Sequence, residues 1–318
     1  MADMFVETRH LKKYFKTPKG MLHAVDDVDI AIKKGKTLGV VGESGCGKST
    51  LGRVVLNLLE PTSGKVLIDG QDMRRLRGAE AKKMRMRAQM IFQDPYSSIN
   101  PRMSVSEIIA EPIIANRLLT DKKEIQGRVE HLMETVGLAQ RFINVYPHEL
   151  DGGRRQRIGV ARALSVNPDF IVCDEPVSAL DVSIQAQILN LMMDLQDSLG
   201  LTYMFITHDL SVVKHISDEI AVMYLGQCVE RVSSSELFTK PMHPYTQALL
   251  SAIPIPDLSM RGKTRQILRG EVRSPIEPPD GCRFAPRCPH ATKECNNKNF
   301  SLAEVEPGHF VACRKFEG

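Results

Sequence analysis

The fold of this chain is decided by the stretch Gly42-Glu43-Ser44-Gly45-Cys46-Gly47-Lys48-Ser49-Thr50, which follows the pattern G-x-x-x-x-G-K-[ST]. Residues 37–41, directly before it, form an apolar run that is typical of a buried parallel strand. The residues after it carry apolar side chains at helical spacing, namely Leu51, Val54, Val55, Leu58 and Leu59. A strand, a glycine-rich loop and a helix in this order allow backbone amides to surround a phosphate at the positive end of the helix. The stretch therefore predicts a nucleotide-binding site.

Each residue of this loop is a candidate ligand of the nucleotide. Lys48 is expected to reach the β- and γ-phosphates, and the hydroxyl of Ser49 is expected to hold Mg²⁺. The alternative is a glycine-rich turn that binds nothing. The flanking strand and helix argue against that alternative, since both are needed to place the loop at a helix N-terminus.

Composition and charge are those of an ordinary globular chain. Its 318 residues suit one large domain and a smaller appendage, and a hydrophobic share of 42% provides for a sizeable core. A formal net charge of +4 is too small to indicate a nucleic-acid-binding protein. The first residues lack the regions of a signal peptide, and nowhere do about 18 uncharged apolar residues follow one another. We therefore expect a cytosolic protein whose seven cysteines are thiols or metal ligands.

Alternating strand and helix patterns predict an α/β fold with a mainly parallel sheet covered on both faces. The strand predicted at 169–174 ends in an acidic residue, a helix closed by Gly200 follows, and the next apolar strand, 201–206, leads into Thr207-His208. Residues 4–35 are expected to form short strands and turns. Residues 94–165 change to a helical pattern with capping boxes at Ser104 and Asp121, and they predict a helical insert.

Polar side chains follow the ends of several predicted strands, where parallel sheets bind their ligands: Gln93, Asp174, Glu175 and His208. Asp174 is expected to hold Mg²⁺ through water, and Glu175 to polarise the attacking water as general base. His208 is expected to donate a hydrogen bond to the γ-phosphate. The alternatives are a helix cap or surface turn for the acidic pair and an ordinary satisfied polar group for His208.

The aromatic pair Tyr14-Phe15 precedes a predicted loop at Pro18-Lys19-Gly20. Either ring has the flat face that stacks on an adenine. On the residues alone, core packing is the favoured use of both rings.

Six motifs in this chain resemble those of an ABC-type ATPase subunit, in the same order and at similar spacing, over residues 1 to about 232. They are Walker A (42–50), the Q-loop glutamine Gln93, the signature (150–154), Walker B (173–176), the D-loop (178–181) and the H-loop histidine His208. The segments 94–101 and 243–245 narrow the resemblance to the ATPase subunits of oligopeptide/dipeptide importers, a branch that includes nickel and some sugar importers. Within that branch, the chain looks closest to the second ATPase of such a pair.

This resemblance implies a P-loop NTPase fold of ABC type with a mainly parallel core sheet and an N-terminal antiparallel β subdomain. The ABC ATPase domain would cover residues 1–232, with the helical subdomain at about 94–165, and a C-terminal extension would cover 233–318. ATP and Mg²⁺ would lie between the Walker motifs of one subunit and the signature of a paralogous ATPase subunit. By the same resemblance, Tyr14 matches the adenine-stacking position, with Phe15 as the alternative, and Gln93 is both a Mg²⁺ ligand and a catalytic group.

The resemblance also implies a motor at the cytoplasmic face of the cell membrane. Gln93 and the helical insert would contact two transmembrane permease subunits, which receive cargo from an extracytoplasmic substrate-binding protein. ATP hydrolysis would then drive uptake of di- or oligopeptides, with nickel or oligosaccharide as alternative cargo. A rival of another class is a soluble ABC ATPase that acts on nucleic acid. The chain lacks the long coiled-coil or zinc inserts of such proteins, so no nucleic-acid partner is expected.

The signature departs from the usual Leu-Ser-Gly-Gly-Gln of the family, because this chain has Leu150-Asp151-Gly152-Gly153-Arg154. At ~4 Å and an effective dielectric constant of about 20, a carboxylate repels a phosphate charge by ~4 kcal/mol. One hypothesis is therefore that the ATP site completed by this signature is weakened or non-hydrolytic, which favours a heterodimer. The alternative is that Asp151 turns away and caps the following helix.

Four of the seven cysteines lie near the C-terminus at the spacing C-x5-C-x6-C-x17-C: Cys282, Cys288, Cys295 and Cys313. Four thiols so close together in a cytosolic chain predict a metal or cluster site. The spacing has neither the tight knuckles of common zinc sites nor a ferredoxin pattern, so the residues leave the metal open. The resemblance favours a [4Fe–4S] cluster, with zinc second and free thiols third.

Overall fold

The computed structural model describes residues 4–252 and 274–316 of the chain. The strands of this part are, in chain order, β1 (Met4–Thr17), β2 (Gly20–Val28), β3 (Ala31–Lys33), β4 (Thr37–Val41), β5 (Ser63–Ile68), β6 (Gln71–Asp72), β7 (Ala88–Ile91), β8 (Phe170–Asp174), β9 (Thr202–Ile206), β10 (Glu219–Tyr224), β11 (Gln227–Ser233), β12 (Ala303–Glu306) and β13 (His309–Val311). The helices are α1 (Lys48–Val55), α2 (Gly78–Arg87), α3 (Pro95–Ser98), α4 (Val105–Asn116), α5 (Lys122–Thr135), α6 (Gly152–Leu164), α7 (Val182–Leu199), α8 (Leu210–Ile216), α9 (Ser234–Thr239) and α10 (Pro244–Ser251).

The chain divides into two compact units. Unit 1 contains residues 1–33, 37–74 and 207–318, and unit 2 contains residues 34–36 and 75–206. Unit 1 therefore combines the N-terminal strands and the P-loop with the described parts of the C-terminal extension, whereas unit 2 contains the helical insert and the strand that ends in Asp174.

The N-terminal sheet of unit 1 is built on β1, which pairs antiparallel with β2, β3 and β5. β1 is one strand of 14 residues, longer than the short strands that the sequence predicts for this region. Its pairing with β2 shifts register between Leu11 and Tyr14, and such bulges bend a strand. The bend lets the first half of β1 pair with β3 and β5 and the second half with β2.

The second sheet region of unit 1 carries the P-loop. β4 pairs parallel with β10, β10 pairs antiparallel with β11, and β13 extends the antiparallel part beside β11. The loop 42–47 follows the carboxyl end of β4, and α1 begins at Lys48. α1 ends at Val55, before Leu58 and Leu59, which the apolar spacing had placed in the helix. The helix stops there because Asn57 adopts a left-handed φ of 55° and the amides of Leu58 and Leu59 both turn back to the carbonyl of Arg53.

Unit 2 has a parallel core of β7, β8 and β9, paired in that order. All five residues of β8 and of β9 are buried, as expected for parallel strands covered on both faces. The predicted helical insert is present as α4, α5 and α6, which contact one another. The capping box at Ser104 and the left-handed Gly200 at the end of α7 are confirmed. No helix in the described parts of the chain is both long enough and apolar enough to cross a lipid bilayer.

A buried acid joins the C-terminal extension to the ATPase strands of unit 1. Glu230 on β11 is fully buried, and its carboxylate faces the Nε2 atom of His309 at 2.8 Å. It also accepts hydrogen bonds from the backbone amides of Met242 and His243 at 2.7 and 2.9 Å. A buried carboxylate is tolerated only when such partners are present. Glu230 therefore fixes two segments of the extension, residues 242–243 and β13, to one point on the sheet.

Candidate nucleotide-binding site

The P-loop in unit 1 has the backbone that its glycines require. Gly42 and Gly47 have φ angles of 151° and 103°, which side-chain-bearing residues rarely adopt. A Cβ atom on Gly42 would lie 2.2 Å from the carbonyl oxygen of Met223, and one on Gly47 would lie 1.9 Å from that of Ala24. Glycine is thus required at both positions by conformation and by space.

Lys48 begins α1 and its side chain is buried within the loop. Its ammonium group donates to the carbonyl oxygens of Gly42 at 2.7 Å and Glu43 at 3.0 Å. The loop therefore wraps around this one positive charge. Ser49 and Thr50 follow in the first turn of the helix and are half-buried. The remaining loop residues, Ser44 and Gly45, are exposed, while the Cys46 side chain is buried against the loop.

Tyr14 of β1 stacks on His23 of β2, with ring centroids 3.9 Å apart and planes 16° apart. The Tyr14 hydroxyl donates to Asp26, and burial is the main reason why the pKa of this hydroxyl is raised. Phe15 instead lies under the ammonium group of Lys13, which is 4.9 Å from the ring centroid. Tyr14 is therefore held rigidly by a stacked neighbour and a hydrogen bond.

In unit 2, the structure brings two of the predicted catalytic side chains together. Asp174 ends β8 and is almost completely buried, and Glu175 follows with a left-handed φ of 46°. The Nε2 atom of Gln93 donates to the Glu175 carboxylate at 3.2 Å. The amide of Glu175 donates to the carbonyl of Ile206 at 2.9 Å. Non-glycine residues with positive φ cluster at functional sites, where surrounding bonds hold them.

His208 lies in unit 1, in the connection between β9 and α8, and its side chain is exposed. The amide of the preceding Thr207 donates to the carbonyl of Val40 at the end of β4, at 3.1 Å. Asp209, the next residue, caps α8 by accepting from the amide of Ser211 at 2.8 Å. The backbone on both sides of His208 is therefore fixed.

The signature residues 151–154 form the N-terminus of α6. Asp151 is the cap of this helix, since its carboxylate accepts from the amide of Arg154 at 2.8 Å. The same carboxylate accepts from the Arg154 guanidinium at 2.6 Å. A Cβ atom on Gly153 would lie 2.6 Å from the branched side chain of Ile184 on α7. Gly153 therefore allows α6 and α7 to approach closely.

The four C-terminal cysteines line one small pocket in unit 1, of about 30 Å³. Burial raises the pKa of the Cys282 thiol to about 11, and it also raises the pKa values of Cys288 and Cys313. These three thiols are therefore protonated at neutral pH. Cys46, Cys173 and Cys228 are buried elsewhere as small apolar side chains.

Residues 25–178 match the ABC transporter family, and residues 229–295 match the C-terminal region of oligopeptide/dipeptide transporters. The oligopeptide transport ATP-binding protein AppF of Bacillus subtilis is 49% identical, over 99% of this chain and 98% of AppF. OppF of the same organism, also an oligopeptide transport ATP-binding protein, is 50% identical over 100% of this chain and 98% of its own length. The chain belongs to the ABC transporter ATP-binding subunits of the oligopeptide/dipeptide branch.

Solved structures agree with this assignment. The ATP-binding cassette MJ0796, as a dimer bound to ADP and Pi, superposes with a TM-score of 0.66 and 29% identity, over 72% of this chain and 98% of that protein. The fold expected from the sequence, a P-loop NTPase of ABC type, is thereby confirmed. This ABC ATPase hydrolyses ATP in a process coupled to transport.

The structure decides between the two interpretations of Asp151 in this ABC ATPase. The carboxylate caps α6 and is paired with Arg154, which is the second of the two alternatives. Its negative charge is therefore balanced within the same helical turn. Arg154 is thus a counter-ion that offsets part of the repulsion on which the hypothesis of a weakened ATP site rests.

The four thiols of the cysteine pocket are suitable donors for a metal, but their positions in this structure do not form a metal site. Four thiols are the donors that zinc and iron–sulfur clusters prefer. However, within residues 4–252 and 274–316 no group of three or more His, Cys, Asp or Glu side chains is placed to hold a metal ion.

The sequence analysis did not identify the C-terminal residues that contact the nucleotide-binding loop of this ABC ATPase and the hydrogen-bond partner of Tyr14. Arg287 of the cysteine segment binds the Glu43 side chain, and the Tyr245 hydroxyl accepts from the Glu43 amide. Arg283 contacts Asp26, which is the partner of Tyr14. No local pattern marks these residues, because each lies more than 200 positions from its partner.

Proposed function

We propose that this chain is one of two paralogous ATPase subunits that power the import of di- or oligopeptides across the cytoplasmic membrane. The observation that carries this proposal is full-length similarity to oligopeptide transport ATP-binding proteins, combined with a P-loop whose lysine is buried among loop carbonyls. Nickel or oligosaccharide import by the same motor is the second candidate. Uptake of labelled peptide, nickel and oligosaccharide by cells lacking this subunit tests the choice, since only the true cargo should fail to enter.

In the proposed ATPase cycle, Lys48 binds the β- and γ-phosphates. The loop 42–50 supplies further backbone amides for the phosphates, except that of Glu43, which donates to Tyr245, and the Ser49 hydroxyl would hold Mg²⁺. Asp174 holds Mg²⁺ through water with help from Gln93. Glu175 is the general base, and Gln93 orients its carboxylate, in line with their 3.2 Å hydrogen bond. His208 donates to the γ-phosphate, and Tyr14 stacks on the adenine.

The signature residues act on the partner subunit's nucleotide in this proposal. Asp151, Gly152, Gly153 and Arg154 lie at the N-terminus of α6, and the positive end of a helix favours a phosphate. The Asp151–Arg154 pair supplies one negative and one positive charge there. A heterodimer remains the proposed assembly, with an extracytoplasmic binding protein delivering cargo to two permease subunits.

A groove in unit 2 is the proposed contact with a cytoplasmic helix of a permease subunit. It has a volume of about 620 Å³, lies on α4 and α5, and is lined by apolar side chains that include Ala110, Ile125 and Val129. Ile114 is one of the lining residues and is 56% exposed. Large exposed apolar side chains beside a groove are typical of a docking site for the apolar face of a helix.

Replacing Ile114 with glutamate is expected to lower peptide uptake at least tenfold and to leave ATP binding by the purified chain unchanged. The new charge would lose its water on docking, and that cost opposes assembly with the permease. Leu199→Glu is the matched control, since Leu199 is equally exposed at 55% on the far end of α7. Normal uptake by the Ile114→Glu strain would contradict the proposed contact.

We further propose that the four cysteine thiols hold a [4Fe–4S] cluster, with zinc as the alternative. Their convergence on one pocket supports this proposal. Protein purified without oxygen is expected to be brown with broad absorption near the visible edge, and Cys288→Ser is expected to lose that absorption. Cys228→Ser, which changes a buried thiol outside the pocket, is the control. Stoichiometric zinc in a colourless protein would favour the alternative, and a metal-free protein would contradict both.

A further inference from the structure

The side chain of Arg287 in the C-terminal extension binds Glu43 of the P-loop. The guanidinium of Arg287 donates to both carboxylate oxygens of Glu43, with Nη1–Oε2 at 2.9 Å and Nη2–Oε1 at 3.2 Å. The side chain of Arg287 is 8% exposed and that of Glu43 is 26% exposed, so water screens this pair only in part. Two parallel bonds between a planar guanidinium and a carboxylate fix direction as well as distance.

A second contact from the extension reaches the same loop residue. The hydroxyl of Tyr245 on α10 accepts a hydrogen bond from the amide of Glu43 at 3.0 Å. The Tyr245 ring is fully buried and packs against Tyr224 and Phe284, with centroids 4.7 and 5.4 Å away. The Arg287 guanidinium also lies 6.0 Å from the Tyr224 ring centroid. The packing of this aromatic cluster holds the Tyr245 hydroxyl in place beside the P-loop.

These contacts give Glu43 a role different from that of a phosphate ligand. Its amide points to Tyr245 and its carboxylate to Arg287, while its carbonyl accepts from the ammonium of Lys48. Without Arg287, an unpaired carboxylate would stand in the loop that must bind a polyanion. Like charges at such short range weaken binding substantially in a partly buried site.

The same C-terminal segment also contacts the residues around Tyr14, which is proposed to stack on the adenine base. Arg283 is buried and donates to the Asp26 carboxylate and to the carbonyl of Leu225. Asp26 also accepts from Tyr14 and lies 3.2 Å from a ring nitrogen of His23, the stacking partner of Tyr14. The orientation of the Tyr14 ring is therefore coupled to Arg283.

We propose that Arg287 and Arg283 are positioning residues for ATP, Arg287 on the phosphate side and Arg283 on the base side. Arg287 neutralises and orients Glu43 so that the loop and Lys48 face the phosphates. Arg283 holds Asp26 and thereby the Tyr14–His23 stack. The inference builds on the proposed nucleotide site and assigns to the C-terminal extension a direct part in forming it.

Arg287→Ala is expected to raise the Kd for ATP of the purified full chain about tenfold, a change of about 1.4 kcal/mol. In the assembled transporter it should raise KM for ATP with little change in kcat, because the lost interaction serves binding of ground state and transition state alike. Arg287→Lys keeps the positive charge but loses the planar guanidinium that makes two parallel hydrogen bonds. It should therefore raise the Kd for ATP about threefold.

The double variant Arg287→Ala/Glu43→Gln separates this role from a general loss of structure. Removing the unpaired carboxylate should return the Kd to within about threefold of the parent. Lys240→Ala is the matched control, since it breaks the exposed Lys240–Glu306 pair of the same extension away from the loop. Unchanged binding by Arg287→Ala, or a double variant as weak as Arg287→Ala alone, would overturn the role of Arg287.

Inorganic tripolyphosphate, which lacks the base, distinguishes the two arginines. Arg287→Ala should weaken ATP and tripolyphosphate equally, whereas Arg283→Ala should weaken ATP about fivefold and leave tripolyphosphate unchanged, because base stacking contributes roughly 1–3 kcal/mol. Arg283→Lys, which keeps a buried cation, should show the same selectivity to a smaller degree. Equal losses for both ligands in both Arg283 variants would overturn the base-side role. The parent chain and Lys48→Ala, measured alongside, report separately whether the proposed nucleotide site exists.

Discussion

Replacing Lys48 with alanine is expected to weaken ATP binding at least a hundredfold and to abolish peptide uptake. The side chain is buried in the P-loop and donates to the carbonyls of Gly42 and Glu43, so its ammonium is preorganised for the phosphates. Two opposite charges ~4 Å apart attract by ~4 kcal/mol at an effective dielectric constant of about 20, which is close to a thousandfold in affinity. Isothermal titration with Mg-ATP and an uptake assay measure the two effects.

The control for this change is Lys65→Ala, which removes the same charge from an exposed position on β5 of the same unit. It should bind ATP like the parent. Retention of nucleotide and of uptake by Lys48→Ala would mean that the loop is a glycine-rich turn without a ligand, and the whole functional proposal would fail with it.

Replacing Glu175 with glutamine is expected to lower ATP hydrolysis at least a hundredfold while ATP stays bound. General base catalysis contributes about 10²–10⁴-fold, and glutamine cannot accept the proton of the attacking water. The amide has nearly the same shape, so the left-handed backbone at φ 46° and the amide bond to Ile206 are retained. Single-turnover hydrolysis and nucleotide retention on the assembled complex measure both parts of the prediction.

The matched control is Glu134→Gln, an identical change at an exposed position on α5 of the same unit. Its hydrolysis rate should equal that of the parent. If the Glu175→Gln complex hydrolysed ATP at the parent's rate, another group would have to serve as general base, and the hydrogen bond from Gln93 would have a structural role only.

Local patterns were sufficient for most elements of the fold. Three features depend only on residues within a few positions of one another. They are the strand–loop–helix context of the P-loop, the capping box at Ser104 and the helix end at Gly200. Their geometry is set by backbone conformation and short-range hydrogen bonds, which sequence spacing reports directly. The extent of α1 was wrong, because apolar spacing continues through Leu58 and Leu59 while the left-handed Asn57 ends the helix.

Asp151 is a residue whose local sequence pattern is compatible with two side-chain positions. An aspartate before a helix is a good cap, and the same aspartate in a signature motif suggests a charge facing phosphate. Both interpretations were compatible with the residues alone. Its bonds to the amide and guanidinium of Arg154 depend on side-chain rotamers and on the start of α6, which only the folded chain specifies.

The chemistry of the chain could be read from short motifs, since phosphate-binding loops and acidic strand ends need particular residues at particular spacings. The partners of that chemistry required the tertiary structure. Glu43 meets Arg287 across 244 positions, and Asp26 meets Arg283 across 257. Contacts at such separations leave no periodic signal, because they form only when the C-terminal extension folds back onto the sheet that carries the P-loop.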